Sequence, residues 1–184
     1  MNVKKAINLR RAYRSLEPVE ISYEIINELA KSAQLAPSCF NNQPWRYIFV
    51  RDKEILKSIY GTLTKTNKWV ELSSLIIAVY SDKKLDCVIR ERNYYLFDTG
   101  IATGFIILRA TELGLVAHPI AGFNEEAAKR VLGIPEEMRL ITLIIIGKHS
   151  NELNNLLLDK QKRIEYQRPE RKKIDEFISI DTHK

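Results

Sequence analysis

Apolar residues recur along this chain in two spacings, and the spacing assigns the elements. Ile25, Ile26, Leu29, Ala30 and Ala33 return at three- and four-residue intervals, the stripe of a helix with one buried side. Ser22 stands in front as an N-cap, Glu24 suits the first turn, and the helix ends before Pro37. The same reasoning predicts a first helix over 3–15, with Val3, Ala6, Ile7 and Leu9 on its apolar side and Pro18 as a stop. Behind Asp52 it predicts a helix carrying Ile55, Leu56 and Ile59, closed by Gly61. A long helix from about 92 to 113 places Phe97, Ile101, Phe105 and Leu108 on one side, and Gly100 with Gly104 would admit a close neighbour beside it. A further helix covers 124–132, capped by Asn124, with Glu125 and Glu126 in its first turn and Gly133 and Pro135 behind it. Three runs have strand composition instead: WRYIFV (45–50), LIIAVY (75–80) and LITLIIIG (140–147). The last two are near-continuously apolar, as in strands covered on both faces. The pattern predicts an α+β domain with a mixed sheet and helices on both sides.

Two stretches stand outside that pattern. APSCFNNQPW, at 36–45, holds two prolines, each of which interrupts a helix, so it is an amide-rich loop between a helix and a strand. Beyond 150 the chain turns polar and lysine-rich, with few core residues apart from Leu153, 156–158 and IDEFISI at 174–180. The reading is a core over 1–150 and an extension over 151–184 that either frays or lies on something else, a partner subunit being the obvious candidate.

Composition narrows the function. A chain of 184 residues, 45% hydrophobic, suits one soluble domain, and no apolar run reaches bilayer length. The N-terminus shows no signal-peptide pattern. Lys and Arg number 29 against 23 acids, and they concentrate at 10–14 and 168–173. RNA-binding and zinc-finger signatures are absent, and two such clusters suit either one phosphate between them or, equally, a solvated surface, which is the stronger reading for any single arginine. Cys39 and Cys87 are far apart in sequence and form no disulfide framework or zinc pattern, which fits a reducing cytoplasm. His118, His149 and His183 lack metal-ligand spacing, and no metal is expected. The glycine-rich dinucleotide fingerprint, the phosphate-binding loop and the nucleophile elbow are all absent, so a bound cofactor is expected to carry any chemistry.

Four segments, in order, resemble one family. RRAYRSLEP is similar to the opening arginine motif of the FMN-dependent nitroreductase family. APSCFNNQPWRYIFV resembles that family's amide loop and strand, and LGLVAHPIAGFNEEAAKRVLGIPEEMRLITLIIIGKHS its third block. RKKIDEFI is like its tail. The resemblance implies a mainly antiparallel sheet in an interwoven homodimer, with FMN at the interface and NADH or NADPH as donor. It implies ping-pong transfer to a small electron-poor acceptor, a nitroaromatic or quinone. The same scaffold also serves a dehalogenase, a dehydrogenase and flavin fragmentation, and a non-enzymatic FMN carrier is a further alternative. No membrane or nucleic-acid partner is expected.

The resemblance also assigns residues. Arg10 and Arg171 match the phosphate and ribityl end, with Arg11 beside them and Lys172 and Arg168 in reserve. Ala12 stands where the family has a small hydroxyl. Arg14 is the candidate for the pyrimidine edge, stabilising charge there rather than moving a proton, and Asn67 is a weaker one. Pro37, Ser38, Cys39, Asn41 and Gln43 match the loop that reaches the partner's flavin, with Trp45 read as core. The turn Pro119, Ile120, Ala121 and Gly122 would lie beside the ring, with Ala121 where many relatives have an acid. No side chain is assigned as catalytic.

Overall fold

A computed structural model describes residues 1–183; Lys184, the end of the 151–184 extension, lies outside the described residues. The helices are α1 (Val3–Leu9), α2 (Tyr23–Gln34), α3 (Lys53–Tyr60), α4 (Tyr95–Glu112), α5 (Glu125–Leu132) and α6 (Asp159–Tyr166). The strands are β1 (Leu16–Glu17), β2 (Arg46–Val50), β3 (Leu75–Ser81), β4 (Val88–Ile89), β5 (Arg92–Asn93), β6 (Val116–Ile120) and β7 (Arg139–His149). The long strand β7 pairs with β1, β3 and β6, and β3 pairs with β2; every described pair is antiparallel.

The apolar runs are continuous because successive side chains serve two cores. Ile76, Ala78, Leu143 and Ile145 face α3, α5 and the 3-10 helix Lys65–Leu72, meeting Leu56, Ile59, Trp69 and Ala128. Leu75, Ile77, Val79, Ile144 and Ile146 face α2 and α4, meeting Leu29, Ala33, Ala102, Ile106 and Ala110. Trp45 joins that second core, as expected. The predicted caps form: Ser22, Asp52 and Asn124 each accept a backbone N–H from the first turn of their helix.

Several expectations change. The first helix ends at Leu9, not at 15, because the next residues bond to distant elements instead of to their own turn. Of its predicted apolar side only Ala6 is buried. In α4 the buried side is Asp98, Thr99, Ala102, Thr103, Ile106 and Ala110, while Phe97 is 64% exposed and Phe105 also faces outward. A Cβ added at Gly100 or Gly104 would meet nothing within 4 Å outside α4 and its chain neighbours. Pro119 and Ile120, read as a turn, close β6, which as an edge strand tolerates a proline without an N–H. No helix among the described residues is long and apolar enough to cross a membrane.

The largest correction concerns the cysteines. Cys39 and Cys87 are not separate thiols but a disulfide, with Cα atoms 6.2 Å apart across a sequence separation of 48. Sequence spacing hid this, since the fold folds the β4–β5 hairpin back toward the amide loop. The thiols therefore no longer argue for a reducing compartment.

Candidate functional site

The segment after α1 is held from three directions. The Tyr13 carbonyl accepts from His118 Nδ1 at 3.0 Å, so that nitrogen carries the proton. The N–H groups of Arg14 and Ser15 both donate to Glu165 Oε1, at 2.5 Å for Ser15, and Asn154 N–H donates to Ser15 Oγ at 3.0 Å. Arg11 donates to the carbonyls of Ile164 (2.6 Å) and Glu165 (3.2 Å) near the end of α6, where unpaired carbonyls favour a cation. The extension thus fixes the course of the arginine segment.

Its consequence is a concentration of positive charge. Arg10 is held below its ordinary pKa first by burial and then by Arg168, Arg171 and Arg11. Arg168 also donates to the carbonyls of Asn8 (2.5 Å) and Arg10 (3.1 Å), which ties the tail to the first segment. Among the described residues, none of these four arginines pairs with a carboxylate. Like charges gathered without a counter-ion suit an anion that accepts from several guanidiniums, a phosphate above all. The two terminal basic clusters therefore meet, one of the two arrangements the sequence left open, though Arg11 is committed to α6 and Lys172 is exposed.

Behind this cluster lies a packed polar layer in which Arg14 and Asn67 were expected and Trp69, His118 and Glu165 were not. Trp69 is fully buried, its ring centroid 4.7 Å from that of His118, and the Arg14 guanidinium lies 5.8 Å from the Trp69 ring centroid. Burial pushes His118 down to about 4, helped by Arg14 and Arg10 and opposed by the Tyr13 carbonyl. The imidazole is therefore neutral at pH 7. Arg14 is lowered by burial and raised by Glu165. Trp69 Nε1 donates to Asn67 Oδ1 at 3.3 Å, and Asn67 Nδ2 donates to the Gly122 carbonyl at 3.0 Å. Asn67 thus braces the turn beside β6. Only Glu165, a lone acid in a polar helix, had no signal that could have found it; alternation in VAHPI could have placed His118 on a buried face.

Gly122 needs to be glycine. A Cβ there would stand 2.6 Å from Asn67 Nδ2 and 2.7 Å from Thr64 Oγ1, both of which hold its carbonyl. Gly122→Ala is expected to cost about 1–3 kcal/mol by forcing those partners apart. A drop in the urea midpoint at unchanged slope would register it, and an unaltered midpoint would contradict the contact.

The amide loop is a separate group of residues. Ser38 Oγ accepts Gln43 N–H at 2.9 Å, Ser81 Oγ donates to the Pro44 carbonyl at 2.8 Å, and Gln43 Nε2 donates to Asn41 Oδ1 at 3.2 Å. Pro37 and Asn41 are exposed. The loop adjoins the Ser81 end of β3, whereas β1 and the arginine segment adjoin the end of β7 opposite Leu75. The length of β3, about 20 Å at 3.3 Å per residue, separates them. The structure brings together Arg10, Arg11 and Arg171, and separately Asn67 with the 119–122 segment. Within one chain the loop and the arginine cluster stand at opposite ends of β3.

Comparison with known proteins gives a consistent result. The sequence profile described as the Nitroreductase family matches residues 7–148. A protein of Archaeoglobus fulgidus, named as a candidate NADH dehydrogenase/NAD(P)H nitroreductase, is 33% identical over 152 residues, covering 80% of this chain and 86% of its own. A solved structure of an FMN-dependent nitroreductase from Clostridium difficile R20291 is 27% identical with a TM-score of 0.69, covering 85% of this chain and 95% of that one. Another, described as an oxidoreductase containing FMN, reaches a TM-score of 0.86 at 22% identity over 100% of this chain and 94% of that one, a likeness of fold.

Proposed function

The chain belongs to the nitroreductase family, and from that footing we propose that it is an FMN-dependent NAD(P)H oxidoreductase acting as a homodimer. The observation that carries the reading is the arginine cluster without a carboxylate partner. FMN supplies two-electron transfer from NADH or NADPH to an electron-poor acceptor such as a nitroaromatic or a quinone.

The chain's own residues bind and orient. Arg10, Arg168 and Arg171 hold the phosphate, and Arg11 positions the segment that carries Arg10 through its bonds to α6. Arg14, half-buried beside Trp69, balances negative charge at the pyrimidine edge. The main chain of Ala121 and Gly122, pinned by Thr64 and Asn67, offers a fixed surface beside the ring. Ala12 leaves only its backbone to the ribityl end. Because Asn41 and Gln43 stand at the other end of β3, they serve the site of the partner subunit. Solvent supplies protons.

The outer surface supports a partner. Val3, Leu35, Phe105 and Leu108 line an apolar groove of about 350 Å³, and Phe97 and Leu96 extend the exposed apolar surface along α4. Residues 168–183 are exposed, with Ile174, Phe177, Ile178 and Ile180 uncovered. In the dimer this tail wraps the other subunit, so that 1–150 form the core and the extension completes the site.

Arg10→Ala tests the cofactor site. Loss of a charge-assisted contact worth about 1.5–3 kcal/mol would weaken FMN binding roughly ten- to hundredfold. Flavin fluorescence titration measures it on protein first shown by sedimentation to be a dimer. Equal affinity in the variant would remove the phosphate from this cluster.

A further inference from the structure

The amide loop is held in a conformation that Phe40 and Gln43 do not favour, although Asn41 tolerates it. Phe40, Asn41 and Gln43 all have positive φ, at 48°, 59° and 51°, and none is glycine. Such backbone persists only where the surroundings over-determine it. Here the constraints are specific. Cys39 N–H donates to Asp98 Oδ2 at 2.6 Å, and Asp98, in the first turn of α4, is 2% exposed. Asn42 Nδ2 donates to Asp86 Oδ1 at 3.2 Å, and the neighbouring Cys87 completes the attachment through its bond to Cys39. The disulfide is the only covalent member of this set, and the segment it anchors to, with two more positive-φ residues at Arg90 and Glu91, belongs to a small separate hairpin instead of the central sheet.

We propose that Cys39–Cys87 is a redox-operated tether, whose reduction by a dithiol releases residues 38–43 and thereby loosens FMN in the partner subunit's site. The link to FMN rests on the function proposed above; the tether itself does not. In the reaction, one thiolate of the dithiol attacks a protein sulfur, the S–S bond breaks and a mixed disulfide forms. The second thiolate then displaces the remaining protein sulfur. Two electrons and two protons pass to Cys39 and Cys87, and the reductant leaves as its own disulfide. Both sulfurs belong to half-buried residues outside the two cores. Asp86 and Asp98 lie beside the pair; burial raises the Asp98 carboxyl, and Asp86 raises it further.

The test uses the full-length dimer, before and after dithiothreitol, with thiols counted in the unfolded protein. The untreated protein is expected to show none and the treated protein both cysteines. Amide hydrogen exchange at 38–43 is expected to quicken by about tenfold or more on reduction, while the β3 and β7 amides hold. FMN dissociation constants are expected to rise about tenfold, since a preorganised loop no longer meets the cofactor. Cys87→Ser is expected to exchange and bind as the reduced protein does, without responding to dithiothreitol. Two free thiols that survive an oxidant overturn the proposal, as does equal exchange at 38–43 in both states. Faster exchange with unchanged FMN affinity overturns the link to the cofactor. If neither form binds FMN, the functional reading fails, and the exchange data still decide the tether.

Discussion

Trp69→Ala is expected to destabilise the flavin-free protein by about 3–5 kcal/mol, the range for deleting a large buried aromatic side chain. Trp69 is fully buried among Leu56, Ile59, Ile76 and Ile145, so the cavity cannot fill from solvent. The loss extends beyond volume. Its ring packs on His118, and its Nε1 fixes the Asn67 amide that holds the Gly122 carbonyl. Trp69→Phe separates the two effects, keeping much of the core and losing the hydrogen bond. Chemical denaturation should place the phenylalanine variant between wild type and alanine. A cost under about 1 kcal/mol for the alanine variant would show that this core does not support the site.

Acid is expected to unfold the protein through His118. Its folded pKa is about 4 against an ordinary 6.5. Between those values the unfolded chain binds a proton that the folded chain refuses. Stability therefore falls as pH drops from 6.5 to 4 and is steady for this group above and below that window. At about 1.4 kcal/mol per pH unit, the loss approaches 3 kcal/mol. The groups facing the imidazole are Trp69, the Tyr13 carbonyl, Arg14 and Arg10. His149, stacked on Tyr13 and also lowered by burial, adds in the same direction. His118→Asn keeps a donor for the Tyr13 carbonyl without a titrating ring. Urea unfolding at pH 7, 5.5 and 4 should show a shallower decline in that variant, and an identical decline would assign the acid sensitivity elsewhere.

The sequence made some of this legible and concealed the rest for physical reasons. β3 and β7 were readable because strands covered on both faces need apolar residues at every position. Helix starts at Ser22, Asp52 and Asn124 were readable because capping is a local bond. β6 was hidden by Pro119, which an edge strand tolerates. The outward side of α4 was hidden because Phe97 and Phe105 are as apolar as core residues, and periodicity does not say whether a partner subunit or the same chain covers them. The convergence of Arg10 with Arg171 was implied by the family resemblance, with Arg168 in reserve, while composition alone left it open. Its anchor, Glu165, was not, since its bonds to Arg14 and Ser15 cross about 150 residues of chain. The Cys39–Cys87 bond escaped for the same reason: it depends on tertiary proximity.

The central claim is that the arginine cluster holds FMN and that NADH or NADPH reduces it. The visible absorption spectrum of protein supplemented with FMN and then desalted tests this most directly, recorded anaerobically before and after each nicotinamide is added. A retained flavin spectrum that bleaches with NADH or NADPH is the predicted result. A protein that leaves the column colourless, or a retained spectrum that neither nicotinamide bleaches, would contradict it.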